Sequence, residues 1–461
     1  MHLSNTIAAH LETVRFEQLP DNAVEAAKRS LIDAVAVSLG ASGAEPAAAP
    51  FLQQAQGCDG EGPCDVFGHS AKASLHLAAL ANGALAHALD YEDAFDAAPM
   101  HPNAALVPAV LAYSQTVGPI SGERLLTAMA AGCDLACRLG LAAVTRAEEG
   151  GWYPPPIFAG YGAIAAVGHV ADLSAKEYKD AFSLGLSQIT CSGEIKYNPQ
   201  SAIRAVRDAF PTMASVMSVQ LARDGLGGFD KPFEGECGFF RLFMQGDYSA
   251  ETFLNRLGEK FYGADVSYKA WPCCRGTHAF IEGALALRHE IEDLDQIESI
   301  TLTGGPILEM LAYPVAEKQN PTVPIDAKFS LYFSTAAALV RGGVGLDEFS
   351  PENLRAPDIL KVSNKISYQN NGQTDPAAAS RGETLIRLKD GRDLTITVNE
   401  PKGGLSNPMT REELVAKAID CGARAKTPIS RARMQAFCEA VWELEVTHDA
   451  VEAVFRAIRP V

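Results

Sequence analysis

Helical periodicity over more than half of the chain is the feature that most restricts its fold. From about residue 5 to residue 265, alanine and leucine recur at helical spacing, as Leu31, Val35 and Leu39 do at positions i, i+4 and i+8. Glycine and proline stop signals divide this region into separate segments. The clearest segments are 73–89, 104–117, 122–143, 160–171 and 211–224. The pattern predicts one large all-helical domain.

The pattern changes after Trp271. A helical segment around 277–291 is followed by the run 299–303, which is rich in β-branched residues. Two further runs of this kind, 384–388 and 394–398, flank an Asp-Gly turn and predict a hairpin. Strands mixed with a helix indicate a smaller α+β domain.

Length and composition favour two domains. The chain has 461 residues, 47% of them hydrophobic and 21% charged, and it exceeds the size at which a single core stops growing. Because the tail from Thr410 to Ile458 returns to helical spacing, we expect it to pack on the first domain. The predicted fold class is mainly α with a smaller α+β domain. The large helical domain comprises 1–267 plus 401–461, and the α+β domain comprises 268–400.

The net charge of −17 disfavours two classes of partner, because it repels nucleic acid and anionic membrane surfaces over long range. A small anionic substrate is compatible with this charge, since a few arginines decide recognition inside a pocket. Ten scattered cysteines are typical of thiols in a reducing cytoplasm. The N-terminal residues lack the basic-then-apolar order of a signal peptide, and no apolar run reaches the roughly 18 residues of a membrane span. We therefore expect a soluble, cytoplasmic protein.

The richest group of ionisable residues runs from His87 to Asp93, and His101 follows shortly after it. In a helix that ends near residue 90, His87 and Asp90 share a face, and the next loop can bring His101 back towards them. Asp90 would then orient His101 as a base for proton abstraction from carbon. Two other interpretations stay open: an acidic helix end with a satisfied histidine, and a divalent metal site, although no HxxH, HExxH or CxxC spacing supports a metal.

Two further elements offer groups for an acid and for carboxylate binding. Tyr153 precedes the proline run 154–156 and could donate a proton or bind a substrate oxygen, or it could be an interface aromatic residue. Arg204 and Arg207 lie just ahead of a helix that Asp208 is predicted to cap. Guanidinium groups beside free helix amides suit a substrate carboxylate, and the alternative is a solvated basic face.

A fourth element, Lys269 to His278, lies at the junction of the predicted domains, where small-molecule sites tend to occur. Cys274, four residues before His278, allows a nucleophilic cysteine–histidine interpretation. Because adjacent Cys273 and Cys274 cannot easily face one pocket together, we prefer a role in substrate binding. No GxGxxG follows a strand and no GxxxxGK[ST] is present, so a dinucleotide or ATP cofactor is disfavoured.

Six short motifs occur in a fixed order along most of the chain. They are Asn82-Gly83-x-x-x-His87-x-x-Asp90-Tyr91-x-Asp93, His101-Pro102, Pro154-Pro155 with Gly162, Gln220-Leu221-Ala222-Arg223-Asp224-Gly225, Lys269-x-x-Pro272-Cys273 with His278, and Ala327-Lys328-Phe329-Ser330. Taken together they resemble the MmgE/PrpD family, which includes 2-methylcitrate dehydratase, cis-aconitate decarboxylase and iminodisuccinate epimerase.

The resemblance implies a homodimer whose subunit has a large helical domain built from both chain ends, a smaller α+β domain and an active site between them. It also implies metal-free acid–base chemistry on a carboxylate. The aspartate and histidine of decarboxylase-like members map onto Asp90 and His101. Tyr153 and Cys274 stand where such members have histidine, and Arg204 aligns with their lysine. These three differences argue against an unchanged decarboxylase mechanism.

We therefore predict a cofactor-independent lyase of the dehydratase type that acts on a small di- or tricarboxylate. The predicted catalytic residues are Asp90, His101, Tyr153 and His278, and the predicted substrate-binding residues are Arg204, Arg207, Lys269 and Cys274, with no metal. His101 is the base, while Tyr153 or His278 returns a proton or assists departure of a hydroxyl group. Two alternatives are an isomerase or epimerase on the same scaffold, and a binding protein without activity.

Overall fold

The computed structural model describes residues 2–57, 62–98, 100–198, 201–375 and 380–460. The chain divides into two compact units. Unit 1 comprises Met1–Val266 and Thr410–Val461, and unit 2 comprises Ser267–Met409. The prediction placed the second boundary at 400/401. Residues 401–409 belong to unit 2 because the Arg275 guanidinium donates hydrogen bonds to the carbonyls of Pro401 and Lys402.

Unit 1 is almost entirely helical. Its helices before residue 267 are α1 (Leu3–Thr13), α2 (Asp21–Ala44), α3 (Ala49–Gly57), α4 (Leu75–Ala88), α5 (Pro102–Val117), α6 (Gly122–Ala142), α7 (Pro154–Val170), α8 (Ala175–Gly185), α9 (Ile203–Val206), α10 (Ala209–Arg223), α11 (Phe239–Met244) and α12 (Ala250–Leu254). A two-residue antiparallel pair, β1 (Cys64–Asp65) and β2 (Lys72–Ala73), lies between α3 and α4. The helical domain predicted from the periodicity is confirmed.

Proline sets the start of two of these helices. α5 begins at Pro102 and α7 at Pro154, although the spacing predicted starts near 104 and 160. Proline fits the first helical turn, where its missing N–H is not needed, and it keeps the preceding residue out of the helical region. His101 and Tyr153 are those preceding residues, so each stands at the N-terminus of a helix.

Close packing of α4 on α10 fixes the position of the segment after α4. A Cβ added to Gly83 would lie 2.4 Å from Oγ1 of Thr212 in α10, so the two helices approach too closely for any larger residue. Next to it, the Asn82 amide accepts a hydrogen bond from Phe67 N and donates one to Asp65 O. The Asn-Gly pair of the first motif therefore holds α4 in place.

The chain returns to unit 1 after residue 409 and forms α19 (Arg411–Ala423), α20 (Arg431–Trp442) and α21 (Ala450–Ile458). Lys417 of α19 is buried and reaches back to the first half of the unit. Its Nζ lies 2.7 Å from Oδ1 of Asp33 in α2 and donates a hydrogen bond to the carbonyl of Tyr91 at 2.7 Å. The C-terminal helices thus anchor the segment that follows α4.

One described helix, α6, is long and apolar enough to cross a membrane by length and composition. Of its apolar window, 94% is buried inside the protein, as in the core helix of a soluble domain. Among the described cysteines, all nine are free thiols, while Cys58 lies outside the described residues.

Unit 2 combines helices with a four-stranded mixed sheet. Its elements are α13 (His278–Arg288), β3 (Ile297–Gly304), α14 (Glu309–Ala312), α15 (Val315–Gln319), α16 (Pro324–Lys328), α17 (Leu331–Arg341), α18 (Pro357–Ser363), β4 (Ile366–Asn370), β5 (Gly382–Leu388) and β6 (Asp393–Val398). The strand order is β4-β3-β5-β6, with β3 parallel to β4 and antiparallel to β5. The predicted hairpin is β5–β6, and Gly391 supplies its turn with a φ of 90°.

The core of unit 2 lies where α13 packs against β5 and β6 and against α17. Strand residues Ile300, Leu302 and Ile386 are fully buried there. Alternation along β5 places every second side chain in this core. The smaller α+β domain is thus confirmed as a fold class.

Candidate functional site

The candidate site begins where α4 ends. His87 lies in the last turn of α4 and Leu89 closes the helix, so Asp90 lies beyond it. Asp90 has a φ of 52°, in the left-handed region that non-glycine residues seldom adopt, and it is 1% exposed. The predicted helical face shared by His87 and Asp90 was wrong, because this backbone conformation follows the helix instead of continuing it.

Glu92 is the carboxylate that joins the two histidines. Its Oε1 contacts Nδ1 of His87 and lies 3.0 Å from Nδ1 of His101. The two imidazole rings are 5.2 Å apart between centroids and are tilted by 47°. The prediction assigned the contact with His101 to Asp90, whereas the structure shows it with Glu92.

The environment of His101 defines its tautomer. His101 is the residue ahead of α5, and its Nδ1 lies 2.6 Å from the carbonyl oxygen of Asp93. Both neighbours of this nitrogen, the Asp93 carbonyl and the Glu92 carboxylate, are hydrogen-bond acceptors. Nδ1 therefore carries the hydrogen and donates it, and Nε2 carries the lone pair that can accept a proton.

Exposure distinguishes the two imidazoles. The His101 side chain is 16% exposed, whereas the His87 side chain is 0% exposed. Burial, and after it the Arg207 guanidinium, lowers the pKa of His87, so that this ring is neutral near pH 7. His101 is thus the imidazole that a dissolved substrate can reach.

Arg207 connects this cluster with Tyr153. Its Nη1 donates a hydrogen bond of 2.9 Å to the Tyr153 hydroxyl, and its Nη2 lies 3.4 Å from Nδ1 of His87. Nε pairs with Asp208 at 3.2 Å, and the guanidinium lies 4.9 Å from the centroid of the Tyr153 ring. Because the phenol oxygen accepts from Arg207, its own hydrogen is left for donation.

Burial of Arg207 opposes its charge, but nearby Tyr153, Asp208 and Glu92 raise its pKa. The guanidinium is 2% exposed and is occupied by groups of the protein. These contacts hold the Arg207 guanidinium within the cluster, where it orients Tyr153 and adds positive charge beside His87. The predicted direct contact with substrate stays a prediction.

Lys196 and Arg204 add positive charge on the outer side of Tyr153. Nζ of Lys196 lies 5.3 Å from the Tyr153 ring centroid and 3.5 Å from Oε1 of Glu148. Burial lowers the pKa of Lys196, and Arg204 of α9 contributes in the same direction. Arg204 is partly exposed. The Lys196 cation thus lies near the ring of Tyr153, and Arg204 is close enough to Lys196 to influence its pKa.

A buried hydrogen-bonded chain holds the segment between Asp90 and His101. Asn103 Nδ2 donates to Oδ2 of Asp93 at 2.8 Å and to Oγ of Ser30 in α2 at 3.0 Å. Burial raises the pKa of Asp93 to about 7, although its hydrogen bond with Asn103 opposes this shift. The Asp93 carbonyl that fixes His101 is therefore itself tied to α2.

The same cluster offers a possible set of metal ligands. One atom each from His87, Asp90, Glu92 and His101 lies within 4.8 Å of the others. However, Nδ1 of each histidine faces an acceptor of the protein, and the Arg207 cation lies beside the group. A fixed positive charge there opposes a divalent cation. The Nδ1 contacts of both histidines are compatible with acid–base chemistry.

Three predicted site residues, Lys269, Cys274 and His278, lie in unit 2. Lys269 and His278 are fully buried, while Cys274 is partly buried and its N–H donates to the carbonyl of Lys328 at 3.0 Å. The His278 ring lies 5.1 Å from the Trp271 ring, and its Nδ1 lies 3.4 Å from Nη1 of Arg275. This group carries the positive charges of Lys269 and Arg275, and it includes His278, the alternative to Tyr153 as the predicted proton donor.

The sequence analysis missed the roles of Glu92, Asp93 and Asn103. Glu92 was included only as part of the ionisable run from His87 to Asp93, for which a metal site was one interpretation, because its position relative to the two histidines depends on the non-helical turn at Asp90. The signal that could have found it is the short spacing of Glu92 from His87, which suits a loop folding back on a helix end. Arg275 lies within the predicted element from Lys269 to His278 and Lys328 within the last motif, and neither was assigned a role.

Two family models match this chain, and the second extends beyond unit 2 into α19 and α20 of unit 1. The N-terminal domain of MmgE/PrpD matches residues 5–251, and the C-terminal domain of MmgE/PrpD matches residues 271–444. The chain belongs to the MmgE/PrpD family. These matches cover most of both units of this MmgE/PrpD protein and support an enzyme of that family.

Curated relatives of this MmgE/PrpD chain include three proteins with related names. The "Cis-aconitate decarboxylase-like protein oryM" of Aspergillus oryzae is 26% identical, covering 94% of this chain and 92% of the relative. "Cis-aconitate decarboxylase" of Aspergillus terreus is 23% identical, over 87% and 85% of the two chains. "Cis-aconitate decarboxylase" of Mus musculus is 22% identical, over 97% and 91%. The chain is therefore similar to lyases over nearly its whole length.

Proposed function

We propose that this protein is a lyase of the dehydratase type that removes a proton next to a carboxylate of a small di- or tricarboxylic acid. The observation that carries the proposal is the pairing of one base with one acid. Nε2 of partly exposed His101 has a free lone pair, because its Nδ1–H is donated to the Asp93 carbonyl. Tyr153 keeps a hydrogen to donate, because Arg207 donates to its oxygen.

The reaction balances with these two groups. His101 Nε2 takes the proton from the carbon next to a substrate carboxylate, and the electron pair of that bond forms the carbon–carbon double bond. The β-hydroxyl group leaves with the proton of Tyr153, and the products are an alkene acid and water. His101 then releases its proton to solvent and the Tyr153 oxygen takes a proton from solvent, which resets both side chains.

Positive groups around the cluster support an acidic substrate. The carbanion-like state that follows proton loss spreads its charge onto the neighbouring carboxylate, so fixed cations lower its free energy. Arg207, Lys196 and Arg204 supply such charge in unit 1. His101 and Tyr153 immediately precede the N-termini of α5 and α7, and the dipoles of these helices also favour an anion.

Decarboxylation is the second candidate, because the curated relatives carry the name cis-aconitate decarboxylase. The residues at three family positions, Tyr153, Arg204 and Cys274, disfavour it here. Epimerisation is the third, since a proton removed by His101 can return to the opposite face. Dehydration and epimerisation share removal of a proton by His101, whereas decarboxylation loses carbon dioxide and needs a group that delivers a proton to the resulting carbanion.

The test is incubation of the purified protein with citrate-like acids, aspartate-like acids and cis-aconitate in deuterated water, followed by proton NMR. An alkene product supports the dehydratase. Deuterium exchange without an alkene, release of carbon dioxide, or no change with any acid would each overturn that assignment. His101→Gln is expected to reduce turnover by about 10²–10⁴-fold. His76→Gln, the same change at a partly buried histidine of α4, is the matched control and should retain activity.

A further inference from the structure

Glu92 places two imidazoles against a single carboxylate oxygen, and the surroundings of the two rings differ. His101 is partly exposed, and its Nδ1 meets Oε1 of Glu92 at 3.0 Å. His87 is fully buried, and its Nδ1 meets the same oxygen. Because both imidazoles contact the same oxygen, a change in the charge or position of either ring alters the surroundings of the Glu92 carboxylate.

The first consequence of the shared Glu92 oxygen concerns the charge on His101. When Nε2 takes a proton, the ring becomes a cation in a site that is largely closed to water, where electrostatic interactions are strong. The groups that face this ring are the Glu92 carboxylate, the Asp93 carbonyl and buried carboxyl group, an oxygen of Asp90 and the His87 ring. Glu92 is the carboxylate placed on the Nδ1 side, as in other enzymes where an acid supports a histidine base.

His87 has no route to a substrate. Its side chain is 0% exposed, and its Nε2 has no hydrogen-bond partner among the described residues. Its Nδ1 faces Glu92 on one side and Nη2 of Arg207 at 3.4 Å on the other. The ring therefore serves as a neutral donor that holds the Glu92 carboxylate in place.

We propose that Glu92 is a positioning residue that stabilises the protonated form of His101 during turnover, and that His87 is the donor that fixes Glu92 there. The kinetic consequences of this inference rest on the proposed function, because they require His101 to act as the base. The electrostatic consequences do not, because they concern His101 itself. The two parts can therefore fail separately.

The first experiment uses the whole protein without substrate. Histidine labelled with ¹⁵N is followed by NMR through a pH titration, with the His101 signal assigned from its absence in His101→Gln. In the native protein we expect the hydrogen on Nδ1 at high pH. Glu92→Gln should lower the titration midpoint of His101 by about one pH unit or more. The exposed His289 is an internal control that should keep its midpoint.

A native His101 with its hydrogen on Nε2, or an unchanged midpoint in Glu92→Gln, overturns the inference whether or not a substrate is known. Glu92→Asp keeps the charge but shortens the side chain by one methylene. It should give an intermediate midpoint, and it supplies the same readout if Glu92→Gln does not fold.

The second experiment is kinetic and uses the acid identified as substrate. Glu92→Gln should lower kcat by about 10–100-fold with KM within twofold, and Glu92→Asp should recover part of the loss. The acid limb of kcat/KM should move to lower pH in Glu92→Gln. An unchanged kcat, or a loss confined to KM, would reject the positioning role.

His87 is tested by a matched pair of variants. His87→Asn retains a donor near the position of Nδ1, whereas His87→Leu removes it and fills similar space. The inference predicts higher kcat for His87→Asn than for His87→Leu. Equal kcat values in two folded variants would show that His87 does not act through Glu92.

Discussion

Unit 1 contains two buried clusters of charged residues that differ in how completely their polar atoms are used. In the first, Arg138 of α6 is 0% exposed and pairs with Asp134 at 2.6 Å. Its remaining nitrogens donate to the carbonyls of Phe253, Asn255 and Lys260. In the second, around Glu92, Nε2 of His87 and Oδ1 of Asp93 have no hydrogen-bond partner among the described residues.

This difference in hydrogen bonding indicates different roles for the two clusters. A buried charge whose donors are all satisfied joins distant segments and contributes to a unique fold. A buried cluster that keeps unused lone pairs, a left-handed aspartate and an acid with a raised pKa gives up stability, which is typical of sites where chemistry occurs. We therefore expect substitutions in the Arg138 cluster to affect stability, and substitutions around Glu92 to affect turnover.

The largest effect is expected for Arg138→Met. The change leaves Asp134 buried without its cation and removes the donor from three carbonyl groups, so the free energy of unfolding should fall by about 3–5 kcal/mol. Urea unfolding measures it. Arg341→Met, which breaks a surface pair with Asp358, is the control and should cost about 1 kcal/mol or less. Equal losses of unfolding free energy in Arg138→Met and Arg341→Met would show that the buried Arg138 cluster stabilises the fold no more than a surface ion pair does.

Asp93→Asn should have an effect that depends on pH. Burial raises the pKa of Asp93 from 3.8 to about 7 in the folded protein, so the folded state binds a proton that the unfolded state has lost between those values. The contribution of Asp93 to stability is therefore fully present below pH 4 and is lost as pH rises through about 7.

Asparagine cannot ionise, so Asp93→Asn should match the native protein near pH 4 and exceed its unfolding free energy at pH 8, by up to about 4 kcal/mol. Urea unfolding at both pH values measures this. Parallel pH profiles for the two proteins would show that Asp93 is not a strained acid.

Tyr153→Phe separates turnover from stability within the second cluster. The substitution keeps the ring beside Arg207 and removes only the hydroxyl group that accepts its hydrogen bond. We expect kcat to fall about 10²-fold, which corresponds to about 2.7 kcal/mol, because the acid is lost. The midpoint of thermal unfolding should change little. If kcat were unchanged in Tyr153→Phe, the proton donor would be a residue other than Tyr153.

The smallest effect is expected at the start of α19. Oγ1 of Thr410 accepts from Glu413 N at 3.2 Å, and Glu413 accepts from Thr410 N at 2.7 Å, which forms a capping box. Thr410→Ala should lower the unfolding free energy by about 1 kcal/mol without changing kcat, and Thr410→Ser should restore it. A loss of kcat would extend the catalytic cluster to the C-terminal helices.

The fold could be predicted largely from periodicity. The segments predicted at 122–143 and 211–224 correspond to α6 and α10 within two residues at each end, because an uninterrupted apolar pattern determines burial. The start of α7 was placed six residues late, since the run 154–156 was taken as extended chain. Strand β4 was missed, because it is an edge strand with little alternation.

The site could be predicted only in part. Spacing brought attention to His101, Asp90, Tyr153 and Arg207, and the structure places these four residues around one cluster in unit 1. Sequence spacing could not show that the Arg207 guanidinium would donate a hydrogen bond to Tyr153, or that Glu92 would lie between two histidines. Both depend on side-chain directions after a turn, and sequence spacing does not determine these directions.

The contact of Lys417 with the Tyr91 carbonyl links residues that are 326 positions apart in the chain. At the usual synthesis rate of about 5–20 residues per second, the ribosome needs about 16 to 65 seconds to travel between them. During that interval the nascent segment after α4 lacks its lysine anchor. A polypeptide released before Thr410 would carry every residue of the His101 cluster but would lack the buried lysine that contacts Asp33 and the Tyr91 carbonyl. The Tyr91 carbonyl thus receives this hydrogen bond only after α19 has been synthesised.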